Sequence, residues 1–148
     1  MFQYSNNKTV NYEINKIYST IVDVERYPEF IPWCSGARII SVEENFLIAD
    51  LIISFKGINL KYTSEVYIEN AIDQSGEAIV RTKMVKGPFK FLESKWKLKK
   101  INEKTTNINF DIKFLLKSIF LEKILSPFFK NACSKILNSF NDHLKKSI

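Results

Sequence analysis

The side chains able to do covalent chemistry are few in this chain. His143 is its one histidine, and the two cysteines are Cys34 and Cys133. His143 falls near the end of a long amphipathic segment, where a cation complements the helix dipole, so a surface position is expected rather than a general base. Neither cysteine sits in a CxxC or Cys/His pattern of metal-ligand spacing, and two cysteines make no disulfide framework; both are read as reduced, semi-buried thiols. GxSxG, paired-histidine, phosphate-loop and dinucleotide signatures are absent from the sequence. Glu93 and Asp111 alternate with apolar neighbours and should face solvent, so no carboxylate with a raised pKa is expected from them. This inventory predicts a non-enzymatic protein with no cofactor and no metal.

The bulk numbers bound the rest. With 148 residues, 45% apolar and 26% charged, the chain suits one soluble domain over residues 1–148. Its net charge of +6 and pI near 9.2 invite a nucleic-acid or anionic-membrane partner. However, the arginines that favour bidentate phosphate recognition are only Arg26, Arg38 and Arg81, and DNA is not an expected partner. The start, Met1-Phe2-Gln3-Tyr4-Ser5, lacks the basic and apolar regions of a secretion signal, and a cytoplasmic protein is expected.

Periodicity supplies the elements that would position any site. Ile14, Ile17, Tyr18, Ile21 and Val22 recur at helical spacing and stop before Tyr27-Pro28. Phe30 to Gly36 reads as an apolar loop or single helical turn. Alternation then marks strands: Leu51, Ile53 and Phe55; Leu60, Tyr62, Ser64, Val66 and Ile68; Leu92, Ser94, Trp96 and Leu98; Ile108, Phe110, Ile112 and Phe114. Turn residues separate them at Glu43-Glu44-Asn45, Lys56-Gly57-Ile58-Asn59, Asp73-Gln74-Ser75-Gly76, Lys86-Gly87-Pro88 and Asn102-Glu103-Lys104. Loops this short imply an antiparallel meander. From Leu121 through Leu125, Phe128, Phe129, Ala132, Ile136 and Phe140 to Leu144 the period becomes helical, with a bend or restart expected near Ser126-Pro127. An antiparallel sheet with one dry face must cover it, and this helix is the long apolar element available.

Two segments carry a resemblance. Asp23-Val24-Glu25-Arg26-Tyr27-Pro28-Glu29-Phe30-Ile31-Pro32-Trp33-Cys34 resembles the signature of the coenzyme Q-binding START-domain family, which also contains the ribosome-association toxin RatA and is grouped with polyketide cyclases and dehydrases. Gly87-Pro88-Phe89-Lys90-Phe91-Leu92-Glu93-Ser94-Lys95-Trp96 is similar to a strand of the same family. The resemblance implies an α+β helix-grip fold: a curved antiparallel sheet wrapped around a long C-terminal helix, with short N-terminal helices. It also implies binding of ubiquinone or a related prenylated, apolar lipid in a groove between sheet and helix, as a carrier in respiratory electron transport. Phe30, Pro32 and Trp33 would form a lid, and Phe55, Tyr62, Phe91, Trp96, Phe110, Phe114, Phe128 and Phe129 the walls. The competing expectation is that these rings are ordinary core. At ~0.8 kcal/mol per buried CH2 a bilayer shelters a prenyl tail as well as a protein does, so discrimination falls to polar groups among Tyr62, Ser64, Ser94 and Lys90.

Two alternatives stand beside this reading: a RatA-like protein that binds the ribosome and blocks subunit association, and a polyketide cyclase or aromatase. Lys95, Lys97 and Lys99, with Lys61 and Lys113, would form a basic face toward ribosomal RNA or, transiently, an anionic membrane surface at the periphery of the inner membrane. A solvated sheet face with edge-protecting lysines is the plainer account of the same residues.

Overall fold

The computed structural model describes residues 1–69 and 76–146. Seven strands form one antiparallel sheet: β1 (Phe2–Val10), β2 (Cys34–Glu43), β3 (Phe46–Phe55), β4 (Ile58–Glu69), β5 (Glu77–Lys86), β6 (Phe89–Asn102) and β7 (Thr105–Leu116). Their spatial order is β1-β7-β6-β5-β4-β3-β2, so β2 through β7 run as a meander and β1 adds to the far edge beside β7. Between β1 and β2 lie α1 (Ile14–Val22), a 3-10 turn at Val24–Arg26 and α2 (Tyr27–Phe30). The chain ends in α3 (Ile119–Lys146). A curved sheet gripping one long helix, with short helices near the start, is the α+β arrangement the sequence predicts.

Each element has a local cause. The helix α1 buries Ile14, Ile17 and Ile21, one apolar stripe, against the sheet. In α3, Ser118 acts as the cap: its Oγ accepts from the backbone N–H of Leu121 at 3.2 Å, and its carbonyl accepts the first helical bond from Glu122. Glu122 lies in the first turn, and His143, Lys145 and Lys146 in the last, which complements the dipole at both ends. The helix begins at this cap and continues through Pro127, so Ser126-Pro127 is not a restart.

Along β1, residues 2, 4, 6, 8 and 10 turn inward in alternation with exposed odd positions. The inward set includes Asn6 and Lys8, which hides the strand from a hydrophobicity pattern; Lys8 reaches Asn138 of α3 at 3.1 Å. The expected turn Asp73-Gln74-Ser75-Gly76 lies outside the described residues except for Gly76, which joins Lys100 through a backbone hydrogen bond of 2.8 Å.

The dry face of the sheet and the inner face of α3 enclose two apolar clusters. One surrounds Trp96, Phe110 and Phe140 with α1 above it; the other gathers Leu60, Phe89, Phe114, Leu125 and Phe129 near the start of α3. Tyr4, Tyr62 and Ile112 touch both.

Candidate ligand-binding site

A cavity of about 130 Å³ lies beside the junction of these clusters. Its floor is the middle of the sheet: Leu51 and Ile53 of β3, Tyr62, Ser64 and Val66 of β4, Val80 and Thr82 of β5, Leu92, Ser94 and Trp96 of β6, and Phe110 and Ile112 of β7. Its roof is Ile21, Val24, Tyr27, Ile31, Trp33 and Cys34 from the segment between β1 and β2, with Ile136 and Phe140 of α3. Period-two alternation delivers the floor residues to one face, and the antiparallel register sets Thr82 opposite Ser94 and Trp96 opposite Phe110.

Most of the lining is hydrocarbon, and several of its polar atoms are paired within the protein. Thr82 and Ser94 share a hydrogen bond between their hydroxyls. The Ser64 hydroxyl donates to the Glu65 carbonyl at 3.2 Å. That of Tyr27 donates to the carbonyl of Ile21, and the Cys34 thiol to that of Gly36 at 3.5 Å. The Tyr62 hydroxyl and the indole N–H groups of Trp33 and Trp96 have no hydrogen-bond partner among the described residues. Burial pushes the Tyr62 and Tyr27 phenols far above their ordinary range, with Cys34 adding to the shift of Tyr62. Burial likewise raises the Cys34 thiol against a smaller opposing effect of its hydrogen bond to Gly36. Every polar group in the lining is therefore uncharged at neutral pH, and the cavity suits a neutral ring with one or two hydrogen-bond acceptors.

Tyr62 is placed by the second sequence motif. Gly87 takes φ +154, and a Cβ there would stand 2.6 Å from Cβ of Tyr62 and 3.1 Å from its Cα. Only glycine lets the β5–β6 turn lie this close. Two residues on, Phe89 is almost fully buried and meets the Tyr62 ring edge-on at 6.0 Å. The motif thus fixes the ring that carries the unpartnered hydroxyl.

The rings singled out from the sequence divide. Trp33, Tyr62, Trp96 and Phe110 line the cavity. Phe114 and Phe129 pack edge to face at 4.9 Å inside the second cluster, and Phe55 stacks on Phe128 at 3.9 Å beside them; these four fill the groove near the start of α3 instead of lining it. Phe91 faces the other side of the sheet, in alternation with Leu92, and a bulge at Lys90 precedes the pairs Phe91 with Leu115 and Leu92 with Phe114. Of the lid, Pro32 is exposed, and Phe30 turns away to stack on His143 at 4.0 Å. Trp33 is pinned, its carbonyl accepting from Ser54 N–H at 2.9 Å. Among the polar candidates Tyr62, Ser64 and Ser94 line the cavity, while Lys90 is exposed.

The lining also includes residues the sequence reading did not pick. Tyr27 and Ile31 lie within the signature segment, and Ile136 and Phe140 within the helical period, but period alone does not separate roof from core. Thr82 shares a face with Ala78 and Val80 on β5, so alternation in residues 77–86 was the available signal. On the outer face, Lys113 pairs with Glu93 at 3.5 Å and Lys61 with Asp50 at 3.8 Å, leaving Lys95, Lys97 and Lys99 as the lysine run of β6. No group of metal-ligating side chains occurs among the described residues, and none of their helices is long and apolar enough to cross a membrane.

Volume sets what the site holds. A cavity of roughly 150 Å³ lined by aliphatic and aromatic groups takes a benzene-sized molecule, whereas sites that enclose a whole drug-sized ligand measure about 300–1,000 Å³. This cavity, at about 130 Å³, has room for one ring or one short branched chain.

Fold and cavity together define a START-like helix-grip protein. The chain belongs to the polyketide cyclase/dehydrase and lipid transport family, whose model matches residues 10–141. It is 34% identical over its whole length to the ribosome association toxin RatA of Rickettsia prowazekii, covering 99% of that protein. It is 24% identical to the mitochondrial coenzyme Q-binding protein COQ10 homolog B of Xenopus laevis, over 93% of this chain and 56% of that one. Among solved structures, the Zhui aromatase/cyclase of Streptomyces sp. R1128 superposes with a TM-score of 0.82 at 12% identity, covering 98% of this chain and 94% of that one. The 18 kDa protein CC1736 of Caulobacter crescentus gives 0.75 at 23% identity, covering 99% and 97%.

Proposed function

We propose that the chain binds the ring of a prenylated quinone, or of a similar apolar lipid, in this cavity and carries it without covalent chemistry. The observation that supports this most is the Tyr62 hydroxyl: a donor on a half-buried side chain, with no hydrogen-bond partner among the described residues, lining a mostly apolar space together with Trp33 and Trp96. A quinone carbonyl supplies the missing acceptor, and the aromatic walls suit a flat ring. The volume argues that the ring enters while the tail stays outside. Burial holds the protons on Tyr62 and Tyr27, which makes both poor bases at neutral pH and favours binding over cyclase chemistry. The family and the likeness to a coenzyme Q-binding protein support the same ligand class. Organic extraction of purified protein followed by mass spectrometry tests the reading. A co-purifying quinone is expected; repeated absence, with no binding of added short-chain quinone, would falsify it.

A second reading is association with the ribosome, favoured by full-length similarity to RatA at 34% identity and by the basic charge. On this reading overexpression shifts ribosome profiles from joined to free subunits, and an unchanged profile excludes it.

A further inference from the structure

We propose that the end of the domain where α3 begins is a docking surface for an anionic lipid bilayer. The inference does not depend on what the cavity holds. Ile119 is 76% exposed, Phe120 71% and Ile124 43%, so the outward side of the first turns of α3 is apolar while the inward side is already used by Leu121, Leu125 and Phe129. These three large apolar side chains at a helix start belong to neither apolar cluster, and contiguous exposed apolar surface of this kind marks an interaction site.

Charge identifies the occupant. The antiparallel topology brings the start of β1, the β3–β4 turn, the β5–β6 turn and the β7–α3 junction to this same end. Residues 1–4, 54–60, 85–91 and 114–131, which meet here, contain the lysines Lys56, Lys86, Lys90, Lys117, Lys123 and Lys130, all exposed. Their one carboxylate is Glu122, and it is engaged: its oxygens lie 3.3 Å from the Leu116 N–H and 3.9 Å from the Met1 ammonium. An apolar tip ringed by lysines, with its single acid turned inward, matches a bilayer surface, where apolar groups enter the acyl boundary and ammonium groups meet phosphates. A second copy of the chain would bring two such lysine rings together, and their repulsion disfavours it. The lysine run on β6 differs in kind: the large apolar side chains exposed near it, Ile101 and Tyr67, stand singly, whereas Ile119, Phe120 and Ile124 share the first turns of one helix.

Flotation of the full chain with vesicles of phosphatidylcholine, with and without phosphatidylglycerol, provides the test. Binding is expected to the anionic vesicles alone and to weaken with salt. Phe120→Ser combined with Ile124→Ser should abolish it. Lys117→Glu and Lys123→Glu should each lower the partition coefficient at least about fivefold. Lys97→Glu, on β6, should leave it within about twofold. All these side chains are exposed, so unchanged melting temperatures verify folding. The proposal is overturned by absence of binding to anionic vesicles, by loss in Lys97→Glu with retention in Lys117→Glu, or by a Phe120→Ser effect confined to self-association in sedimentation.

Discussion

Replacing Tyr62 by phenylalanine should stabilise the empty protein and weaken its ligand, two effects of opposite sign from one oxygen atom. The side chain is half-buried and its hydroxyl, without a partner among the described residues, opens onto the cavity; a fully buried unsatisfied polar group costs about 1–3 kcal/mol, which is the ceiling here. A water in the cavity recovers part of this, so the gain on removing the hydroxyl should be at most about 1 kcal/mol. In a chain of this length that raises the melting temperature by at most about 2–4 °C. The phenyl ring keeps its edge-on contact with Phe89, so packing is unchanged. Loss of one hydrogen bond to a ligand carbonyl removes about 1 kcal/mol, a roughly fivefold weaker affinity. Thermal unfolding by circular dichroism reads the first effect. Quenching of tryptophan fluorescence by a soluble short-chain quinone reads the second, since both tryptophans, Trp33 and Trp96, line the cavity. A Tyr62→Phe protein that melts lower than the parent means that the hydroxyl is bonded in the fold. One that melts higher but binds quinone equally well removes Tyr62 from the site.

Gly87→Ala should cost at least 2 kcal/mol, on the order of other overpacked and φ-strained sites, because the new Cβ meets Tyr62 backbone and side-chain atoms; a urea melt measures it. Ile136→Trp should place an indole in the cavity, lowering quinone affinity more than tenfold at a stability cost of about 1–3 kcal/mol, as titration and thermal melts together will show. The Cys133 thiol, pushed up to about 12 by burial from an ordinary 9.0, keeps its proton in the fold while the unfolded chain loses it. Its contribution is therefore complete below pH 9 and lost as pH rises toward 12. Cys133→Ala should flatten that part of the stability profile in denaturant melts, and a slope identical to the parent's refutes the assignment. For the same reason neither cysteine should react with a thiol reagent at neutral pH until the chain unfolds.

The sheet and terminal helix were legible because their signal is periodic. Leu60, Tyr62, Ser64 and Val66 alternate, and Leu125, Phe129, Ala132 and Phe140 repeat at helical steps, whatever the packing above them. The strand β1 was not, since its inward positions include Asn6 and Lys8, whose polar ends are served by edge position and by Asn138. The site was half legible for a related reason. Periodicity says that Phe114, Phe129, Trp96 and Phe110 all face inward, but whether an inward ring fills space or borders it depends on its neighbours across the gap. Phe114 and Phe129 find each other and Phe89; Trp96 also meets Phe110 at 4.4 Å and Phe140 at 4.9 Å, but the smaller residues Ser94, Thr82 and Val80 beside them on the sheet leave space. Phe91 does not line the cavity because the alternation of Leu92, Ser94 and Trp96 already sets it on the outer face; the bulge at Lys90, which leaves no mark in that alternation, is what brings Phe89 inward instead.

The most direct test of ring binding in the cavity is the map of amide and side-chain shifts in an NMR titration with a soluble short-chain ubiquinone. Shifts concentrated at Tyr62, Thr82, Ser94, Trp96 and Phe110, with Lys95 and Lys97 on the opposite face unmoved, are the predicted result. Shifts confined to that outer face or to the apolar tip of α3, with the cavity residues unchanged at saturating quinone, would contradict it.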